Sequence, residues 1–357
     1  MAEQRFVLNP YVTVVRCTDD EVLYRHGARS AYSRMLRDEG RRRVLGPVLA
    51  AFDRPRSRAE TAAELADPAG ATEVLDKLID DGVLVAEDSA LSAMYLQMLT
   101  GAAPTGLAAA TVGVAGLGGI GGQVARQLAA LGAGAVVGLD DRPVGAADQA
   151  FLRGTIGTAG EVGRPIAEAF ERATVAAGFD NVTTRPQSIE DTEALADLID
   201  EADLTVVALE AFAPGLLHRV NELAVAAEKP WLPVYADGSE LVVGPLVVPG
   251  RSACYNEFEI QHESSRALRT EYLLYKEELG RRPAGDGPQL LPPFAGIAAS
   301  WAVSAALPFL VDGTSFLVGR AVRIDFERLE VITERVLRLP RCPACAELRP
   351  DLRHPFL

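Results

Sequence analysis

The residues of this chain with the most distinctive chemical spacing are Gly116-Leu117-Gly118-Gly119-Ile120-Gly121. They make a G-x-G-x-x-G run between an apolar stretch, TVGVA, and a helical pattern, GIGGQVARQLAALG. Glycines let the backbone come close to a pyrophosphate, and a helix start offers N–H donors and the positive end of its dipole. Asp140 ends the next apolar stretch, where an acid accepts ribose hydroxyls. This strand–turn–helix setting predicts a nucleotide-type fold without deciding between a dinucleotide and ATP. The four histidines, His26, His218, His262 and His354, show no spacing with Ser, Asp or Cys that marks a triad or a metal pair.

The loop needs a sheet to hold it. Downstream, strand-like and helix-like stretches alternate: NVTTRPQ, DTEALADLIDEA, DLTVVALE, PGLLHRVNELAVAAEK, WLPVYADG and ELVVGPLVVPG. The alternation predicts an α/β domain with a doubly wound, largely parallel sheet. Upstream, YVTVVRC and EVLYRHG flank the turn TDD and predict a hairpin, with SAYSRML as a third strand. Three helical stretches follow. Ser57 and Glu60 have capping-box spacing, and Val74, Leu75, Leu78 and Ile79 share one face of a helix that Gly82 ends. VLVAED returns as a short strand. Strands, three helices and a closing wing make a winged helix-turn-helix pattern, so domains are expected over residues 1–90 and 91–357. The Pro- and Gly-containing residues 280–294 predict a mobile loop.

Composition narrows the function classes. Of 357 residues, 48% are hydrophobic and 24% charged, as in a soluble globular protein. A net charge of −14 with no long basic run argues against nucleic-acid binding. The densest basic cluster, residues 37–45, carries two acids and reads as a solvated helix start. Four cysteines are too few for a disulfide scaffold, and Cys17 reads as a core residue on a strand. The N-terminal residues lack a signal-peptide pattern. The longest apolar run, 294–311, is Ala-rich and contains Pro308; it falls short of the ~20 residues of a membrane span and predicts a buried or interface helix. A cytoplasmic protein without a membrane partner is expected.

The order of elements, with GLGGIG, LDD, LRGTIGTAGEVGRP, YADGSELVVGPLVVPGRSACY and the late CPAC, resembles the ThiF-type, ubiquitin-activating-enzyme-like superfamily. The resemblance starts near Ser89 and implies a Rossmann-type domain that adenylates a C-terminal carboxylate with ATP and Mg²⁺. Members with an N-terminal winged-helix clamp modify ribosomally made peptides. They include the microcin-type adenylyltransferase and the ThiF-like partners of azoline-forming cyclodehydratases. The first ninety residues resemble that clamp, the RiPP recognition element. There a leader peptide adds as a strand to a sheet edge. By resemblance, the peptide would lie on Tyr32, Ser33, Arg34, Met35 and Leu36, against Val74, Leu75 and Leu78.

The family pattern also implies site residues. The cofactor-binding set would be Gly116, Gly118, Gly119, Gly121, Asp140 and Arg153. Departures stand out, however. The family lysine position is Ile166, with Arg164 two residues away; the Mg²⁺-holding Asp position is Glu210; and the asparagine before the arginine is Ala150. Positioned cations are what phosphoryl chemistry rests on, so the departures imply a vestigial nucleotide site and no ATP turnover. In the family, two C-x-x-C pairs often hold a structural zinc. Here Cys342 and Cys345 form one pair, Cys254 stands alone in the other half, and Glu257 sits where the fourth thiolate would be, with His262 as a further candidate. Unligated, partly buried thiols account for the same cysteines equally well.

The leading expectation is a leader-peptide-binding, ThiF-like accessory protein. It would present a precursor peptide to a YcaO-type cyclodehydratase in thiopeptide- or bacteriocin-type biosynthesis, as a homodimer and without catalysis of its own. The second is an ATP-dependent adenylyltransferase acting on a peptide or carrier-protein C-terminus. A nicotinamide-dependent oxidoreductase fares worst, because VVPGRSACY and CPAC have no role in it.

Overall fold

The computed structural model describes residues 3–30, 32–101, 105–156, 160–284 and 289–348. His354 and part of the loop predicted over 280–294 lie outside the described residues. The chain divides into two units, Met1–Thr105 and Gly106–Leu357.

The first unit runs β1 (Arg5–Leu8), β2 (Thr13–Arg16), β3 (Glu21–Arg25), β4 (Ser33–Arg37), α1 (Leu45–Ala51), β5 (Arg56–Ser57), α2 (Arg58–Glu64), α3 (Pro68–Asp80), β6 (Leu84–Ala86) and α4 (Leu91–Thr100). Two antiparallel sheets form, ordered β5-β1-β6 and β2-β3-β4. In β3 the period of two is plain: Val22 and Tyr24 are buried while Glu21, Leu23 and Arg25 are half-buried. These two meet Leu45, Val48, Leu75 and Leu78 from α1 and α3 in one core. Ser57 caps α2, accepting from Glu60 N at 3.1 Å while Glu60 Oε2 accepts from Ser57 N at 2.9 Å. Gly82 follows α3 with φ +67, a conformation that glycine adopts without strain. Cys17, expected in the core, is exposed. The adjoining β2 pairs only with β3 and buries no residue fully, so it has no inward face at that end.

The second unit contains α5 (Thr105–Ala109), β7 (Thr111–Ala115), α6 (Gly119–Ala130), β8 (Ala135–Leu139), α7 (Gln149–Leu152), α8 (Ile166–Ala176), β9 (Val182–Arg185), α9 (Thr192–Glu201), β10 (Leu204–Leu209), α10 (Pro214–Ala226), β11 (Trp231–Asp237), β12 (Glu240–Val243), α11 (Tyr255–Ser264), α12 (Arg269–Leu279), α13 (Pro292–Asp312), β13 (Arg320–Asp325) and β14 (Glu330–Arg335). Its eight-stranded sheet is ordered β14-β13-β12-β11-β10-β7-β8-β9. From β11 to β9 every pairing is parallel. From β11 to β14 every pairing is antiparallel. The sheet is therefore mixed rather than largely parallel: β11–β12 and β13–β14 are short antiparallel connections, and β13 pairs antiparallel with β12 after α11, α12 and α13 have intervened. All six residues of β10 are buried, as a strand covered on both faces requires. Helix α13, long and apolar enough by composition to cross a membrane, packs on α6 with Ala295, Ala298, Ala299 and Ala302 fully buried. The Ala-rich face is thus used within the chain.

The strand order reverses between β7 and β10, and the glycine loop leaves the carboxyl end of β7 at that crevice. Gly116 has φ +88, and a Cβ there would lie 2.2 Å from the Ala208 carbonyl oxygen. A Cβ on Gly121 would lie 1.8 Å from the Gly116 carbonyl oxygen. Backbone, not ligand, dictates glycine here. Gly121→Ala should therefore destabilise the ligand-free protein by about 3 kcal/mol or more, whereas Gly154→Ala, with open space around it, should not. Denaturant unfolding checks this; equal stability of Gly121→Ala and wild type would refute it.

Candidate functional site

At the glycine loop the chain serves its own donors. Glu210, one residue past β10, accepts from Ile120 N at 2.8 Å through Oε1 and from Leu290 N at 3.0 Å through Oε2. Gln289 Oε1 accepts from Gly119 N at 3.3 Å. Asp140 accepts from Leu117 N at 2.8 Å and from Arg142 N at 2.9 Å. Three N–H groups at the start of α6 (Leu117, Gly119 and Ile120) thus have internal acceptors where a phosphate-binding loop presents them to ligand. Burial pushes the Glu210 carboxyl above its ordinary value, while the N–H bonds from Ile120 and Leu290 and the Arg142 guanidinium pull the other way.

The residues at the family's cation positions differ in exposure. Ile166 is fully buried at the start of α8, Arg164 is exposed beside Glu161, and Arg153 is exposed at the end of α7. Arg142 is the cation that sequence reasoning missed. A Cβ on Gly118 would meet Glu210 Oε1 at 2.9 Å and Arg142 Nη2 at 3.1 Å, so this guanidinium stands at the loop. Its position directly after LDD was the available signal. The described end of the loop predicted as mobile, Gln289–Leu290, is held against α6 and Glu210.

The second cluster forms as the cysteine pattern implies. One ligand atom each from Cys254, Glu257, Cys342 and Cys345 lie within 4.8 Å of one another, and all four residues are buried. Cys254 is the N-cap of α11, and Glu257 Oε2 accepts from its backbone N at 2.7 Å. Glu257 Oε1 accepts from Leu339 N at 2.5 Å, which draws the CPAC segment toward α11. Cys254 Sγ and Cys342 Sγ are 3.6 Å apart, against ~3.8 Å for two thiolates on one tetrahedral zinc. The donor set fits zinc. Zinc there would hold the two segments together as a structural ion, with Asn256 Nδ2 donating to Cys342 Sγ at 3.5 Å. The shared hydrogen bond lowers Cys254 and raises Cys345; burial and the Glu257 carboxylate raise Cys345 further. His262 is not in the cluster. Its ring stacks on Phe258 at 5.6 Å and meets Tyr272 edge-on at 5.9 Å. His218 lies edge-on to Tyr255, and His26 stacks on Tyr32 at 3.8 Å.

The predicted peptide residues divide. Ser33, Arg34, Met35 and Leu36 form β4, the end strand of its sheet, so one side of its backbone has no strand partner. Tyr32 and Met35 are 40% and 42% exposed. Leu36 and Val74 line a groove of about 610 Å³ with Arg42, Glu73, Asp76 and Lys77 among its walls. Leu75 and Leu78 do not line it; they are core residues at 1% and 0% exposure, because that face of α3 packs inward. Asp81 gathers Arg34, Lys77 and the Tyr24 hydroxyl at 2.8, 3.0 and 2.8 Å, tying β4 to the end of α3.

The fold, the loop and the cysteine cluster define the class. The pattern of the ThiF family matches residues 94–345, and the chain belongs to that family. It is 26% identical over 249 residues to Protein HesA of Leptolyngbya boryana, covering 68% of this chain and 79% of that protein. Among solved structures, it is similar to the Escherichia coli microcin C7 biosynthetic enzyme MccB in complex with N-formylated MccA, with a TM-score of 0.68 and 20% identity, covering 96% of this chain and 99% of that one. MccB with ATP gives a TM-score of 0.67 at 20% identity and the same coverage. The heterocyclase TruD gives 0.60 at 19% identity, with 96% of this chain but 43% of TruD covered. These structures show the shared fold.

Two outcomes follow from the cluster and its neighbour. Purified protein should carry about one zinc per chain, and Cys342→Ser/Cys345→Ser should lose the metal and melt lower; metal-free wild type with an unchanged melting temperature would favour free thiols. His262 is held down to about 4 by burial, helped by Arg266 and Arg323. A histidine lowered in the folded state contributes stability above its unfolded value of 6.5 that is lost as pH falls toward 4. Thermal melts should therefore fall over that window, and less so in His262→Phe; parallel curves for the two proteins would contradict this.

Proposed function

We propose that the chain is a leader-peptide-binding, ThiF-like accessory protein for ribosomally made peptides. It captures a precursor leader and presents the core to a YcaO-type cyclodehydratase that forms azolines. In this reading residues 1–90 act as a winged helix-turn-helix recognition element and the remainder as a ThiF-like body, paired as a cytoplasmic homodimer. The observation that carries it is the unpartnered edge of β4 beside the groove on α3. An extended peptide joining that edge gains backbone hydrogen bonds, and the groove takes its side chains. The similarity to MccB solved with N-formylated MccA and to the heterocyclase TruD supports a role beside peptide substrates. Glu210 and Gln289 on the α6 donors support a body that does not turn over ATP.

The second reading is an ATP-dependent adenylyltransferase. Exposed Arg153 and the similarity to MccB solved with ATP favour it. Adenylation would require Glu210 and Gln289 to yield their N–H groups to phosphate.

Fluorescence anisotropy with the labelled leader from an adjacent precursor gene separates the readings when paired with pyrophosphate exchange. The full chain should bind the leader, at least tenfold more weakly in Tyr32→Ala/Met35→Asp, and should give no exchange. Exchange that depends on a peptide C-terminus and vanishes in Arg153→Ala would promote the adenylyltransferase.

A further inference from the structure

Within the second unit, and sharing no lining residue with the glycine loop, four arginines surround a cavity of about 440 Å³. Arg251, Arg320, Arg335 and Arg338 line it with Ser252, and its lining contains no carboxylate among the described residues. The chain as a whole has a net charge of −14, so this concentration runs against its background. The pairing nearby sharpens the contrast. Arg323, on the same strand as Arg320, is matched by Glu240 at 3.1 Å and Glu334 at 2.7 Å. None of the four cavity arginines has an ion pair among the described residues.

Three further observations point to an anionic ligand. Arg320 and Arg335 are direct cross-strand partners where β13 meets β14. Like charges facing each other across an antiparallel pair destabilise it unless something neutralises them. Arg338 donates one bond, from Nη2 to the Gly250 carbonyl at 3.3 Å, while its Nε is closed off from solvent and has no partner. Arg251 makes a single long bond to the Gly313 carbonyl at 3.5 Å. Among the described residues, most guanidinium donors around the cavity therefore have no acceptor.

We propose that this cavity binds a small molecule carrying two or more linked phosphates. Guanidinium forks match phosphate oxygens in pairs. Four cations in one cavity call for several negative charges on adjacent atoms, which linked phosphates supply and single carboxylates do not. The volume lies in the range of small-ligand sites and exceeds the needs of one isolated phosphate. The free anion and a nucleoside diphosphate share this chemistry. The site is separate from the glycine loop and does not depend on the leader-binding reading.

Titration calorimetry on the full chain, with inorganic pyrophosphate and with ADP as probes, tests the proposal. Pyrophosphate should bind and weaken as salt rises. Affinity should drop at least tenfold in Arg320→Gln/Arg335→Gln and in Arg251→Gln, a loop position outside the sheet. The ligand-free double variant should melt no lower than wild type, since it removes a like-charge pair. ADP that binds more tightly than pyrophosphate, with the same arginine dependence, identifies the nucleotide as the source; equal affinities identify the free anion. No heat with either probe at millimolar concentration, affinity equal in wild type and both variants, or tighter binding of an oligoglutamate peptide than of pyrophosphate would overturn it.

Discussion

The body of this protein turns on where one carboxylate finds its donors. Taking Glu210 out of water carries a penalty of several kcal/mol unless hydrogen bonds replace the lost hydration. The start of α6 has the opposite need, because its first N–H groups have no partner within the helix. Each problem answers the other: Ile120 N gives its hydrogen to one oxygen and Leu290 N to the other. The shared bond joins β10, α6 and the approach to α13, three segments far apart in sequence. Glutamate suits this geometry better than aspartate, since the extra methylene adds ~1.5 Å of reach. Where the resemblance implies a metal-holding aspartate, this chain thus has a glutamate whose oxygens accept from Ile120 N and Leu290 N.

Glu257 repeats the device at the start of α11. It closes the start of α11 through Cys254 N and holds Leu339 N with its second oxygen. That grip brings the CPAC segment within reach of Cys254, so the four donor atoms converge before any metal is considered. A carboxylate already bonded through both oxygens is a weaker ligand than a thiolate. A zinc here would therefore draw mainly on the three sulfurs, with Glu257 acting as the piece that positions them.

Much of this was legible in the sequence where local pattern determines structure. Strands β7, β8 and β10 and helices α6, α9 and α10 follow from their own periodicity, and Ser57 with Glu60 announced the start of α2. The convergence of Cys254 and Glu257 with Cys342 and Cys345 was also readable, but only through a family pattern. What escaped is what depends on distant partners or half-solvated faces. Strand β14 has no fully buried residue, so no apolar alternation marks it. The bond from Gly119 N to Gln289 spans 170 positions, and nothing local in a Pro- and Gly-containing stretch foretells it. Leu75 and Leu78 share a helical face with Val74, yet the groove meets only the margin of that face. Spacing on a helix gives the direction of a side chain and not what lies opposite.

The two free sheet edges that matter for partners differ in chemistry, and the difference bears on what each can take. Exposed edges invite unwanted pairing, and charged side chains are a common defence. Strand β4 carries Arg34 and Arg37, but both are matched, by Asp81 and by Glu21, so the edge keeps little free charge. Beside it lies a groove with Leu36, Leu45 and Val74 among acids and bases of both signs, a surface whose chemistry suits a peptide of mixed character. Strand β14 ends instead at Arg335, opposite Arg320, next to a cavity with no acid among the described residues. A strand arriving there with any basic residue would meet repulsion, and one of mixed character would leave the guanidiniums unmatched. On the two proposals made above, charge favours extended peptide at β4 and compact polyanion at the end of β14. The two surfaces thus differ in the ligand chemistry they suit.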